Sequence, residues 1–346
     1  MTDPFADVAA LPEMADAVAG ARAAVDRLLG HRVLRRRSAE VSAESALRGA
    51  RASAALEGHA VALDDVRAGA VDDPVVQGAL RVSAELGTLS EIWRQAPGQV
   101  LARLHALAAL DVVEADRLGR PRTGERGSSP PDVHVGSAET VRGERAEPGG
   151  RLRAAGGGPE PDADPAGRSS RPGSRKPGPV GAVRTARERS EVGPAPGPGL
   201  RDSGRSALGS LALGSLDLGP PPVPTEVSAR LDALFGLLTT RTEAPALVVG
   251  AIVHGELLAL RPFGWGDGVV ARAAQRVTFI ERGLDPKSLV APEVGHAELG
   301  DAYAAALRGY VSGTPAGMAQ WVRHCADAVS AAARDSLAVC EALQRG

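Results

Sequence analysis

Residues 253–272 read VHGELLALRPFGWGDGVVAR. Apolar residues recur at helical spacing up to Leu260, and a glycine-rich turn follows, Gly264-Trp265-Gly266-Asp267-Gly268. A second helical pattern then carries Arg272. Helix, glycine loop, helix is a way of turning consecutive backbone N–H groups toward an anion, usually a phosphate. Upstream, Pro245 suits the first turn of the helix ending at Leu260. Thr225 is expected to cap a helix to Thr239, with Val227, Leu231, Leu234 and Leu238 on its apolar face. Downstream, helices are expected over 269–282, 297–310 and 314–343. Residues 15–118 also show helical spacing, with stripes at Ala21, Val25, Leu28, Leu29 and at Val100, Leu101, Leu104, Leu107, Leu110. Period-2 alternation is nearly absent, so the expected fold is all-α.

The chain has 346 residues, a net charge of −2 and 3% aromatics, so its cores must be built from Ala, Leu and Val. Near-neutral charge gives no overall pull toward nucleic acid or membrane. The cluster Arg32, Arg35, Arg36, Arg37 reads as a solvated helix end, with no aromatic beside it for base stacking. Neither a nucleic-acid nor a membrane partner is expected. Cys325 and Cys340 lie too far apart along one helical segment to pair, and read as reduced, buried thiols; no metal centre is expected. The N-terminal MTDPFADVAALPEMADAV is acidic and lacks a basic flank, unlike a signal peptide, so the expected location is cytoplasmic. Gly (42) and Pro (26) are concentrated between 123 and 224, where apolar residues are too few to offset ordering entropy. The expected organisation is an N-terminal helical region over 1–122, a low-complexity disordered insert 123–219 and a helical core 220–346. A short repeat over 208–216 reads as low-complexity drift.

The constellation around Arg261 resembles the Fic (Fido) family, whose loop reads His-Pro-Phe-x-Asp/Glu-Gly-Asn-Gly-Arg-x-x-Arg after a helix with an upstream His. Here His254, Pro262, Phe263, Gly266, Gly268 and Arg272 match in register. Arg261 replaces the catalytic His, Trp265 the metal-holding acid, Asp267 the Asn and Val269 the first Arg. Ser53-Ala54-Ala55-Leu56-Glu57-Gly58 resembles the inhibitory Ser/Thr-x-x-x-Glu-Gly/Asn motif of some members. The segment 119–122 and the prolines before Thr225 resemble the flanks of the family's substrate-binding flap, with a remnant of the flap as one reading of 130–135. Residues 303–321 resemble the closing helices.

In that family the loop amides cradle ATP, the acid holds Mg²⁺, and the His takes a proton from a target hydroxyl that then receives AMP. Arg261 has no acceptor atom and a pKa above about 12, so it cannot be the base. Trp265 offers Mg²⁺ no oxygen, and Val269 removes an anion clamp. The resemblance leaves Arg261, Gly266, Asp267, Gly268 and Arg272 as the phosphate-binding set, and Ser53, Glu57 and Gly58 as the regulatory set. The loop is a tight turn plugged by Trp265, a nucleotide site without transfer, or an altered catalyst. Asp267 either supplies a displaced carboxylate or, facing the nest, repels phosphate. Glu57 and Arg272 form either a retained switch or a structural ion pair. His254 is expected buried and hydrogen-bonded. His59 is the candidate substitute base, and His296 and His324 have no partner visible in the sequence.

The combined expectation is an all-α, Fido-like helical bundle interrupted by a long disordered insert, without certain catalytic residues. Its expected role is a pseudoenzyme that binds a nucleotide (ATP or ADP) or phosphate and regulates a protein partner, with homodimerisation an open option and little support for Mg²⁺. The alternatives are an active nucleotidyltransferase (protein AMPylation) with a relocated base, and a non-catalytic scaffold.

Overall fold

The computed structural model describes residues 3–122 and 218–345. The expected insert, with the 208–216 repeat and the 130–135 flap candidate, lies outside the described residues except for 218 and 219. Among the described residues every regular element is a helix: α1 (Pro4–Ala9), α2 (Met14–Leu29), α3 (Leu34–Leu56), α4 (Leu63–Arg67), α5 (Pro74–Ile92), α6 (Pro97–Ala109), α7 (Pro224–Thr239), α8 (Ala246–Leu260), α9 (Asp267–Glu281), α10 (Pro292–Leu299), α11 (Asp301–Val311) and α12 (Pro315–Arg345). None is long and apolar enough to cross a membrane.

The consecutive helices α8 and α9 form the centre. The sequence of α8, ALVVGAIVHGELLAL, has no polar stripe, and twelve of its residues are buried, as expected for a helix enclosed on all sides. In α9 burial extends even to Arg272, Gln275 and Arg276. Around this pair pack α3, α5, α6, α10 and α12, while α2 lies along α12. Small residues set the spacing: at Gly295 in α10, the Ala328 backbone of α12 occupies the place a Cβ would need. Close helix approach therefore substitutes for the bulky aromatics this chain lacks.

Five expected boundaries are corrected. Pro245 is the N-cap of α8, in extended backbone just before its first turn at Ala246. Helix α7 begins at Pro224, with Val223 as N-cap and no side-chain cap, so Thr225 lies inside the first turn. Proline's fixed φ suits that first helical position. The helix expected over 297–310 is two, α10 and α11, divided at Gly300 (φ 58°, ψ −130°), a conformation that favours glycine. Leu110, expected in an apolar stripe, lies past the end of α6 and is exposed. Helix α9 starts at Asp267 rather than Val269.

Candidate functional site

The apolar run of α8 ends because Arg261 turns left-handed (φ 46°, ψ 57°) while its N–H closes on Leu257. Gly264 and Gly266 follow with φ of 75° and 68°, and Gly266 is the N-cap of α9. Arg122 fixes this turn from outside. Its Nε donates to the Arg261 carbonyl at 2.9 Å, its Nη2 to Leu260 and Pro222, and its backbone N–H to Pro262. A guanidinium at the C-terminus of α8 satisfies carbonyls the helix leaves open. His105 stacks on Phe263 at 4.2 Å and accepts from the Gly119 N–H. Burial lowers its pKa to about 4, so it is neutral at pH 7.

Asp267 points into the turn. Its two carboxylate oxygens accept from the N–H groups of Phe263 and Gly264, each at 2.9 Å. Burial pushes its pKa up to about 7, against the two amides and the Arg122 charge; Glu57 adds to the upward push. Two of the loop's anion-binding donors are thus taken by the chain's own carboxyl.

The second carboxylate comes from α3. Gly58 (φ 96°) closes that helix in a Schellman arrangement, with its N–H on Ala55 O and the His59 N–H on Ala54 O. This end holds Glu57 over the first turn of α9. Its Oε1 lies 2.7 Å from Arg272 Nη2, and Arg272 also donates to the Ser53 hydroxyl and carbonyl, each at 3.0 Å. The Arg272 side chain is 0% exposed and that of Glu57 19%. The pairing depends on Gly268, because a Cβ there would collide with the Glu57 carboxylate. Ser53, Glu57, Gly268 and Arg272, 219 positions apart at the extremes, therefore act as one unit.

A cavity of about 360 Å³ opens beside this unit, walled by Glu57, His59, Arg261, Gly266, Asp267 and Gly268. Arg261 donates to the Gly219 carbonyl and has its guanidinium pKa lowered by burial and by Arg122. Trp265 is half-buried against the small cluster containing Ala54, Val66 and Val75, and forms part of the wall. His59 Nδ1 lies 2.8 Å from Asp73 Oδ2. The side chains do not fit Mg²⁺: that of Trp265 has no oxygen, Asp267 is committed to amides and Glu57 to Arg272.

The structure brings together most of the residues singled out in the sequence. Arg261, Gly266, Asp267, Gly268 and Glu57 line the cavity, while Arg272, Ser53 and Gly58 support it from behind. His254 is absent from the cavity wall; it is fully buried with Nε2 2.7 Å from the Tyr303 hydroxyl. His296 and His324, without visible partners in the sequence, lie 3.0 Å apart, Nδ1 to Nε2, in the same cluster. Sequence reasoning missed the roles of Arg122 and His105, which act on backbone groups and leave no motif.

No protein-family model and no curated protein matches the chain. Among solved structures it is similar to a Fic family protein from Desulfovibrio desulfuricans G20, with a TM-score of 0.56 at 16% identity, covering 93% of this chain and 74% of that one. At that identity the likeness is one of architecture, and the chain has the all-helical Fic fold.

Proposed function

We propose that the protein is a Fic-fold pseudoenzyme that transfers no nucleotide, admits an anionic nucleotide to the Glu57 cavity when Glu57 moves aside, and acts as a regulator of a partner protein. The observation that carries this reading is the double occupation of the anion positions. Asp267 takes the Phe263 and Gly264 amides, and Glu57 covers the first turn of α9. Arg261, at the start of the turn, has no atom to accept a proton. A phosphate that displaces Glu57 gains the Arg272 guanidinium and the N-terminus of α9.

Calorimetric titration with ATP and ADP, with and without Mg²⁺, tests it on the wild type and on Glu57→Gly. Binding is expected to be much tighter in the variant and indifferent to Mg²⁺; silence in both leaves a scaffold. Incubating Glu57→Gly with labelled ATP should label neither the protein nor a cell lysate, and labelling overturns the pseudoenzyme reading.

A second reading rests on His59. Its Nδ1 is held by Asp73 at the cavity wall, an arrangement that orients an imidazole for proton transfer through its other nitrogen. On that reading Glu57→Gly transfers label and Glu57→Gly/His59→Gln does not.

A further inference from the structure

His254 on α8, His296 on α10 and Cys325 on α12 are each 0% exposed, and one ligand atom from each lies within 4.8 Å of the others. None of the three lines the cavity beside Glu57. We infer that these three side chains form a buried His₂Cys site for one soft transition-metal ion of the Zn²⁺/Cu⁺ class.

The hydrogen bonds select the donor atoms. His254 Nε2 is taken by Tyr303, and its Nδ1 is buried without a hydrogen-bond partner. His296 Nδ1 is taken by His324, leaving Nε2, which lies 3.3 Å from Gln275 Oε1. His254 thus has one nitrogen anchored by a neighbour and the other without a hydrogen-bond partner, the usual arrangement of a ligating histidine, whereas His296 must give up its Nε2–H contact with Gln275 to ligate. Gln275 sits among all three side chains. Its amide oxygen supplies a fourth, weaker donor. Tetrahedral Zn²⁺ needs ligand atoms about 3.5 Å apart, so the cluster must close by roughly 1 Å.

Ligation takes both imidazoles neutral and the sulfur as thiolate, so ion binding must expel the Cys325 proton to solvent as the metal–sulfur bond forms. Thiolate and imidazole together select Zn²⁺ or Cu⁺ over Mg²⁺ or Ca²⁺.

The full chain is refolded with one equivalent of Co²⁺ as the probe, since a buried site must be filled during folding. A thiolate-to-cobalt charge-transfer band at one ion per chain is expected, lost in Cys325→Ser and His296→Gln and kept in Cys340→Ser. Circular dichroism checks that each variant is folded. X-ray absorption at the metal edge of wild type expressed in zinc- or copper-supplemented medium should count one sulfur and two imidazoles, and distinguishes the two ions. No charge-transfer band in folded wild type, a band unchanged in Cys325→Ser, or an all-oxygen metal shell overturns the site. This site does not depend on nucleotide binding at the Glu57 cavity, so each proposal can fail without the other.

Discussion

Asp267 carries a carboxyl into a buried turn, and its pKa of about 7 makes that residue a source of pH dependence. Its folded value is raised above the unfolded one. The stabilising contribution is therefore complete below about pH 4 and is lost as pH rises toward 7, where the unfolded chain binds fewer protons. Between pH 5 and 8 this residue should remove about 3 kcal/mol of stability, two pKa units at 1.36 kcal/mol each. Asp267→Asn cannot ionise, so its urea-unfolding free energy should fall less over that range than that of the wild type, by about the same amount. Parallel profiles for the two proteins would mean that the carboxyl is ionised throughout and that the nest holds a full negative charge. The same residue answers the question the sequence leaves open: Asp267 faces the nest, in competition with any phosphate.

The contact between α3 and α9 shows how one glycine serves two helices. Within α9, Gly268 costs about 1 kcal/mol relative to Ala. Its lack of a Cβ is what lets the Glu57 carboxylate lie on the first turn. Gly268→Ala should therefore destabilise the wild type by about 1–3 kcal/mol through overpacking. In a Glu57→Gly background the severe clash is gone and only the flexible Arg272 guanidinium, 3.0 Å from the Cβ position, must give way, so the same substitution should become near neutral or stabilising. Thermal melts of the four proteins in this cycle measure the coupling; equal effects in both backgrounds would show that Glu57 does not lie on Gly268. Helix existence is legible for these elements because α8 and α9 carry long apolar runs on either side of a glycine turn. The break between α10 and α11 is not, because the Ala and Leu spacing continues across Gly300 and only its backbone angles divide the helices. Nor is the His254–His296–His324 cluster, whose members come from three helices and meet only through packing.

For the molecule as a whole, the sequence shows an all-helical chain with a compositional interruption, and the family resemblance supplies the long-range pairing of Glu57 with Arg272 that spacing cannot supply. The two described segments share their hydrophobic cores, and a local device holds the ends that flank the interruption. Arg122, the last described residue before the interruption, holds the carbonyls of Leu260, Arg261 and Pro222. On the other side, Gly219 accepts from the Arg261 guanidinium. Both ends are thus tied to Arg261, so two arginine side chains and their hydrogen bonds bridge the gap between them. A 12-residue Gly/Ser linker has an r.m.s. span of roughly 19 Å, enough to close it, and the closure entropy of a shorter loop is smaller. Replacing residues 123–217 with such a linker should leave the far-UV circular dichroism per described residue unchanged and the Tm within about 3 °C of wild type, because the anchoring contacts stay in place. Adding Arg122→Ala to the linker protein should lower the Tm further, by several degrees, as the side-chain contacts to three carbonyls at the turn are lost. If the linker protein unfolds while Arg122 is intact, residues 123–217 contribute packing that the helices 3–122 and 218–345 need, and the chain folds only as a whole.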